Sequence, residues 1–335
     1  ATAADRVVAL RADTGAEIWR FALPQGAPSQ RGLSYWPGDE AAAARILFTA
    51  GRALVALDAL TGQKVPTFGN AGEVTMPSAY TGAPTRFEDL IVVGSNGPPG
   101  GVRAYDVRSG EERWRFVGAS TLVHPASSLT VDVDRALVYA VFAGPVPVLF
   151  YGAERGAGAD PYLNSVVALE ARTGNRRWHF QTVHHDLWNY DLGAPPALFD
   201  ATIDGTRRAL LALAGRAGYL YFLNRVTGEP VFDIVEASVP ASAVPGERAS
   251  STQPVPRKPP PIARVGYAAE DIVVAADTTA QHAAYCRSLR DRSGGLQNGG
   301  PVTPYRHRAA GKEPRSTIVF PGSLGAAGWG GGAVG

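Results

Sequence analysis

Short apolar runs that end in a glycine turn recur along the chain. Each copy has a strand-like apolar stretch, a polar residue, then Thr-Gly or Ser-Gly, and a second strand-like stretch. An Asp or Asn ahead of the glycine can bond the backbone of its own turn, and glycine supplies the positive φ of a tight hairpin. The five copies lie at 8–15, 55–62, 102–110, 167–174 and 221–228.

The spacing of these copies predicts the architecture. Their glycines recur at roughly 50 residues, the length of one four-stranded propeller blade. In three copies a tryptophan (Trp19, Trp114 or Trp178) stands four residues after the glycine, and its large apolar ring suits packing between neighbouring blades. Five unrelated hairpins would not share this position. We therefore predict an all-β fold, a β-propeller of four-stranded blades with tryptophan-docking repeats, and a length of about six blades.

One segment breaks the repeat. Residues 235–263 are rich in Pro and Ser, and the run 259–261 is Pro-Pro-Pro, which cannot lie in a central strand. We expect a loop excursion across the propeller face rather than a linker between domains. Residues 1–335 are thus predicted to form a single, partial propeller domain.

Charge and cysteine content exclude several classes of protein. The formal net charge is +2 and the arginines are dispersed, so no nucleic-acid partner is expected. Cys286 is the single cysteine, which excludes an intrachain disulfide. The sequence contains no run of about 18 apolar residues, so no transmembrane helix is predicted.

The segment 178–191, WHFQTVHHDLWNYD, resembles the signature of membrane-associated dehydrogenases that use pyrroloquinoline quinone (PQQ), the glucose and quinate dehydrogenase group. The HHDLW core is highly specific, whereas many propellers share the blade repeats. Nearly the whole chain resembles part of such an enzyme. The further similar stretches are 31–36, 68–74, 244–248, 251–254 and 317–322.

The resemblance implies an eight-bladed propeller with PQQ in a central funnel beside a divalent cation, Ca²⁺ or Mg²⁺. It implies oxidation of a small alcohol or sugar, with electrons passed through PQQ to a membrane quinone. PQQ would perform the redox chemistry, while the protein orients it and supplies a base. The implied location is the periplasm, with association with the inner membrane as a further option.

The resemblance also implies cofactor contacts. Arg31 matches the arginine that pairs with a PQQ carboxylate, for which a planar guanidinium is suited. Arg216 matches the cation that contacts the quinone oxygens. Thr81 and Ser95 match cofactor contacts, and Asn96 could offer its carbonyl oxygen to the cation. For each residue the alternative is an ordinary turn position.

The expected catalytic base is altered. The carboxylate that follows the Trp of HHDLW is Asn189 here, and an amide has no basic form near neutral pH. Asp186 and Asp191 are the nearby substitutes, and strand alternation favours Asp191 because it would share a face with Asn189. By the same alternation His184 and His185 would point to opposite faces, so we expect them to bond the loop backbone rather than a metal.

Two other departures concern the cofactor and the cation. His124 stands where the family stacks PQQ on a tryptophan, and imidazole offers less area. Residues 144–148 are Gly-Pro-Val-Pro-Val, whose side chains cannot bind Ca²⁺. Two hypotheses follow: a working PQQ dehydrogenase, or a catalytically impaired propeller that acts as a binding or scaffold module. HHDLW and Arg31 argue against a third, a propeller of the outer-membrane assembly type.

Overall fold

The structure is a computed structural model. It describes residues 5–24, 26–117, 122–123, 129–143, 162–292, 294–297, 300–312, 316–322, 324–328 and 332. Within these ranges β-strands dominate, and the one α-helix is α1 (Ala280–Arg292), preceded by a 3-10 helix at Ala269–Asp271. The predicted all-β class is confirmed.

The strands form a series of sheets in chain order. The first pairs β1 (Arg6–Leu10) with β2 (Glu17–Ala22). The second runs β3 (Ser34–Trp36), β4 (Arg45–Ala50), β5 (Ala53–Asp58) and β6 (Glu73–Thr75). The third runs β7 (Thr85–Phe87), β8 (Leu90–Gly94), β9 (Val102–Asp106) and β10 (Glu112–Phe116).

The later sheets are less regular. The fourth contains β11 (Leu122–Val123), β12 (Thr130–Asp132), β13 (Leu137–Ala143), β14 (Ser165–Glu170) and β15 (Arg176–Gln181), with β11 and β12 both paired to β13. The fifth has β16 (Ala197–Ile203), β17 (Thr206–Ala214) and β18 (Leu220–Asn224). Two small sheets follow: an antiparallel pair, β19 (Ile234–Ser238) with β20 (Thr252–Pro256), and a parallel pair, β21 (Leu296–Gln297) with β22 (Ser316–Thr317).

The five glycine turns share one hydrogen-bond pattern. In each, the glycine N–H donates to the carbonyl four residues earlier, at 2.8–2.9 Å, and the glycine has a φ between +71° and +79°. Three turns add a side-chain acceptor, Asp58, Asp106 or Asn224, which binds N–H groups two and three residues further on. The predicted glycine conformation is therefore present in all five copies, and the predicted Asp or Asn acceptor is present in three of them.

Tryptophans dock the first, third and fourth sheets onto the sheet that follows each of them. The Trp114 indole N–H donates to the Ala171 carbonyl at 2.9 Å, and its ring covers Gly174 so closely that an added Cβ would lie 2.4 Å from it. Trp19 and Trp178 bind the next sheet in the same way. Their carbonyl acceptors are Ala59 at 3.0 Å and Arg225 at 3.2 Å, and their covered glycines are Gly62 and Gly228. The tryptophan-docking prediction is confirmed.

The second sheet lacks this tryptophan, and an arginine replaces it. The buried guanidinium of Arg45 donates at 2.8 Å to the carbonyl of Val107, the residue equivalent to Ala171. Val74 occupies the space over Gly110 that the indole fills elsewhere. The carbonyl acceptor is satisfied in either case, so the junction keeps its bond although its sequence differs.

Side-chain hydroxyls on β3, β7 and β12 join these strands to the following sheets. Ser34 donates to the Pro84 carbonyl at 2.5 Å, Thr85 to Leu129 at 3.2 Å and Thr130 to Pro196 at 3.2 Å. The three acceptors directly precede β7, β12 and β16. Because β3 contacts β7 and β7 contacts β12, these strands lie side by side as the inner strands of successive blades. The sheets are thus blades of a propeller.

The Pro-rich segment predicted as a loop excursion contains the hairpin β19–β20. The hairpin packs on the fifth blade, where the Tyr221 hydroxyl donates to the carbonyls of Thr182 and Pro254 at 3.3 and 3.1 Å. The Ile262 N–H then donates to the Gly218 carbonyl at 2.8 Å. The tripeptide 259–261 follows β20 and lies outside any strand, as its composition requires.

Candidate functional site

Topology places the residues proposed for the site at one end of the blades. Arg31 precedes the inner strand β3, Thr81 precedes β7, and residues 182–196 precede β16. Second strands run antiparallel to the inner ones, so the ends of β8 and β17 lie at the same edge. Asn96 follows β8 and Arg216 follows β17, and both therefore lie at this end.

One cluster at this end joins three of the predicted residues. The backbone N–H and hydroxyl of Thr81 both donate to Asn96 Oδ1, at 2.5 and 3.0 Å. Ser29 donates its hydroxyl to the Thr81 carbonyl and accepts the Arg31 N–H at 3.2 Å. The Arg31 side chain is exposed, and Ser95 is buried beside Asn96. Ser29 links the two loops, a role that the sequence analysis did not identify.

The predicted cation ligand is engaged within this cluster. Asn96 Oδ1 already accepts two hydrogen bonds from Thr81, so a cation at this oxygen would have to displace donors. Among the described residues, no group of three or more His, Cys, Asp or Glu could hold a metal ion. Residues 144–148 and His124 lie outside the described residues.

The HHDLW segment is a bent loop, and the strand alternation assumed for it was wrong. The residues after β15 adopt bends, with a φ of +42° at His185 and +66° at Asn189. Asn tolerates this left-handed conformation more readily than most residues. Periodicity therefore cannot relate Asn189 to Asp191, nor separate the faces of His184 and His185.

Asp186 builds the loop. Its two carboxylate oxygens accept the N–H groups of Trp188 and Tyr190, each at 2.8 Å, and the residue is 5% exposed. The segment near the C-terminus then covers the loop: the Trp188 indole donates to the Thr303 carbonyl and the Tyr190 hydroxyl to the Phe320 carbonyl. Burial raises the pKa of the Tyr190 hydroxyl far above its usual range, so it remains a neutral donor.

Asp191 and Arg216 form a buried ion pair. Arg216 Nε lies 3.1 Å from Asp191 Oδ1, and the two side chains are 13% and 10% exposed. The contact lacks hydrogen-bond geometry and is therefore electrostatic. Gly325, with a φ of +74°, lies so close to Arg216 that an added Cβ would come within 2.4 Å of its Cβ. The base of the Arg216 side chain is thus confined, and the burial of its guanidinium is tolerated because the carboxylate is opposite.

His184 is held by side chains rather than by the loop backbone that we expected. Its Nδ1 lies 2.7 Å from Gln181 Oε1 and its Nε2 lies 3.3 Å from Glu236 Oε1. Its peptide group is bound by Gln253, whose amide accepts the His184 N–H at 2.8 Å and donates to the His184 carbonyl at 2.5 Å. Gln253 and Glu236 both belong to the hairpin β19–β20.

A separate cavity of about 500 Å³ lies between the fourth and fifth blades. It adjoins the turn after β12, at the opposite end of the blades from Arg216. Arg225 fills its wall and pairs with Asp132 at 2.7 Å and Asp200 at 2.9 Å. These contacts join the two blades, and none of the predicted site residues lines this cavity.

Known proteins resemble this chain along its length. The PQQ family model for the β-propeller domain of glucose/ethanol/alcohol dehydrogenases matches residues 1–335. A probable quinate dehydrogenase (quinone) of Xanthomonas campestris pv. juglandis is 30% identical over 98% of the chain and 47% of its own length. The quinoprotein glucose dehydrogenase of Escherichia coli (strain K12) is 29% identical over 98% of the chain and 46% of its length.

Solved structures agree with this relationship. The quinohemoprotein alcohol dehydrogenase ADHIIG from Pseudomonas putida HK5 superposes with a TM-score of 0.56 at 25% identity, over 76% of the chain and 42% of that protein. The chain spans less than half the length of the curated relatives described above. The Xanthomonas match extends over 392 positions whereas the chain has 335 residues, so that relative has internal segments without a counterpart here. Among the described residues, no helix is long and apolar enough to cross a membrane.

The repeat, the docking tryptophans, the HHDLW loop and these matches all identify the same family. The chain belongs to the PQQ-dependent quinoprotein dehydrogenases, in which it is a β-propeller domain.

Proposed function

We propose that this propeller binds PQQ and serves a dehydrogenase that oxidises a small alcohol or sugar, with electrons passing through PQQ to a membrane quinone. The buried Asp191–Arg216 pair carries the proposal, because it holds a positively charged guanidinium at the blade end where Arg31 and Thr81 also lie. Quinone-linked quinate and glucose dehydrogenases are among the relatives. A periplasmic location beside the inner membrane fits an acceptor of this kind.

The residues present fit PQQ, which is planar, carries carboxylates and ends in an ortho-quinone. Two guanidinium groups at one blade end suit those anionic oxygens. The contact of Arg216 Nε with Asp191 Oδ1 lacks hydrogen-bond geometry, so the guanidinium retains donors for a cofactor oxygen. PQQ, when bound, would supply the two-electron acceptor. Ca²⁺ or Mg²⁺ would be held through Asn96 only if Thr81 releases the amide oxygen.

The chain's own residues divide the remaining tasks. Arg216 would supply a fixed positive charge that stabilises negative charge on the quinone oxygens of bound PQQ. Asp191 keeps that guanidinium in place. Of the two nearby carboxylates, Asp186 is engaged with the N–H groups of its own loop and Asp191 is paired with Arg216, so we expect both to be poor proton acceptors. Asn189 cannot accept the proton.

A titration of the protein with PQQ, in the presence of Ca²⁺ or Mg²⁺ and followed by tryptophan fluorescence, tests the proposal. We expect saturable quenching, weakened about 10- to 100-fold by Arg216→Ala through loss of a charge-assisted bond. Arg31→Ala should weaken it less, because that side chain is exposed. Arg113→Ala, at an exposed arginine of β10, is the matched control and should bind like the unaltered chain.

Two outcomes of this titration would contradict the proposal. If neither cation supports quenching by PQQ, the cofactor role is refuted and the chain is the impaired propeller that acts as a binding or scaffold module. If Arg113→Ala weakens quenching as much as Arg216→Ala, the signal reports general charge rather than the site.

A further inference from the structure

Hydrogen bonds of His184 attach the loop that carries Asp186, Asn189 and Asp191 to the hairpin β19–β20. Gln253, 2% exposed, holds the His184 peptide group by two hydrogen bonds. The imidazole ring of His184 bridges β15 and β19. Backbone and side chain are therefore restrained separately, and only the second restraint involves a titratable group.

The protonation state that this geometry requires follows from Gln181. Its Nε2 donates to the Leu163 carbonyl at 2.9 Å, which orients the amide so that Oε1 faces His184 Nδ1. An acceptor there requires the hydrogen on Nδ1. A neutral ring would then present the lone pair of Nε2 to the Glu236 carboxylate, 3.3 Å away. Both contacts are satisfied together only when the ring carries two protons.

We propose that His184 is a positioning residue which, in its charged form, fixes the site loop to the hairpin β19–β20, and that this attachment loosens as the pH rises. The Glu236 contact is lost on deprotonation, whereas the Gln181 and Gln253 contacts persist. None of the described hydrogen bonds or ion pairs joins His184 to the Asp191–Arg216 pair, so His184 is proposed to act through Asp186, two residues further along the loop. The proposal rests on the proposed function only where PQQ binding is the readout.

Two carboxylates lie on the elements next to His184: Glu236 on β19 and Asp186 in the loop. Glu236 is the one whose oxygen lies 3.3 Å from the ring. The other groups on the surrounding elements are the neutral amides of Gln181 on β15 and Gln253 on β20, the phenol of Tyr221 on β18, whose pKa burial raises, and His185 in the loop itself. The ring's charge is therefore coupled mainly to Glu236.

Hydrogen exchange at the Trp188 and Tyr190 amides tests this inference, because both are bound to Asp186 within the loop. Protection factors, corrected for the intrinsic pH dependence of exchange, would be compared at acidic and alkaline pH, from about 5.5 to 8.5. We expect protection to fall about two- to five-fold with rising pH in the unaltered chain, the size of a partly exposed ion pair. Glu236→Gln and His184→Gln should each abolish that dependence.

His185→Gln, at the adjacent histidine, is the matched control and should retain the pH dependence. If Glu236→Gln keeps it, or if His185→Gln removes it, the inference is wrong. Global unfolding should be measured in parallel. If His184 had only a general structural role, its substitution would lower overall stability at every pH without a specific change in the protection of the loop.

PQQ affinity provides the second readout. If the protein binds PQQ, its affinity should follow the same pH trend, and Glu236→Gln should flatten the trend. Loop protection that behaves as expected in a protein that fails to bind PQQ would refute the proposed function while leaving the role of His184 intact. PQQ binding without pH-dependent protection of the loop would refute the role of His184 while leaving the proposed function intact.

Discussion

We predict that turnover depends on the residue at position 189, which is Asn189 in this chain. Its φ of +66° suits Asn or Asp, so Asn189→Asp adds a carboxylate without new backbone strain. A placed base contributes about 10²- to 10⁴-fold to such a proton transfer. We predict weak or absent dye-linked dehydrogenase activity in the unaltered chain with PQQ and Ca²⁺, and partial recovery in Asn189→Asp.

Asn175→Asp, in an exposed turn of the fourth blade, is the control for the added charge. Turnover by the unaltered chain at an ordinary enzymatic rate, on the order of 10 s⁻¹, would show that Asp191 or Asp186 already serves as the base. A variant Asn189→Asp that binds PQQ but remains inert would point to the cation ligands as the deeper defect.

Asp58 allows a test of pH at the residue scale. The Thr61 backbone N–H, with help from other donors of the turn, holds the pKa of the Asp58 carboxyl below its ordinary value of 3.8. A lowered pKa in the folded state stabilises the protein above the unfolded value and ceases to do so as the pH falls through the folded one. Unfolding in urea should therefore lose less free energy between pH 7 and about pH 3 in Asp58→Asn than in the unaltered chain.

The fifth blade contains the natural precedent, since Asn224 makes the same turn with an amide. Asp58→Asn should thus fold normally at pH 7. An equal loss of stability in both proteins on acidification would show that this carboxylate is not linked to folding.

At the scale of elements, the docking tryptophan defines the junction between blades. Trp114 is 7% exposed and contacts the next blade through both its ring and its N–H. We predict that Trp114→Ala lowers the free energy of unfolding by about 3–5 kcal/mol, measured in urea. Trp19→Ala should cost less, because Trp19 is only half-buried. Equal costs would mean that burial of the ring does not set the strength of the junction.

The covered glycines separate backbone strain from packing. Gly174 and Gly15 have φ values of +73° and +72°, but an added Cβ meets Trp114 at Gly174 and nothing within 4 Å at Gly15. Gly15→Ala should therefore cost only the left-handed backbone, about 1–2 kcal/mol. Gly174→Ala should cost about 1–3 kcal/mol more, because the indole must move. Similar unfolding free energies for the two variants would contradict the docking geometry.

The sequence revealed the blades better than it revealed the site, and the reason is physical. Turns such as Asp58–Gly62 are closed by residues near in sequence, so periodicity and turn chemistry predict them. The loop after β15 is not predictable in this way. The Asp186 side chain accepts backbone N–H groups that, in a strand, would donate to a neighbouring strand. Contacts such as Gln253 with His184 span 69 residues, and no local pattern reports them.

At the scale of the whole molecule, one kind of hydrogen bond recurs in the same direction at several junctions between blades. Indole, guanidinium and hydroxyl groups of one blade donate to backbone carbonyls of the next. Ion pairs run in the other direction, from a later blade to an earlier one. Arg108 of the third blade pairs with Asp39 of the second, and Arg225 of the fifth pairs with Asp132 of the fourth. Since each blade contacts its neighbours, stability is expected to be close to a sum of blade and junction contributions.

The row of inner-strand hydroxyls that begins at Ser34 has an evolutionary consequence. Each link needs only one hydroxyl at the start of a strand and one carbonyl just before the next, and neither partner's chemistry is specific to a particular pair of blades. Deleting a complete blade in a gene would bring together a donor and an acceptor of the same kind. Whole blades can thus be duplicated or lost in evolution, because the same hydroxyl–carbonyl hydrogen bond can form at the new junction.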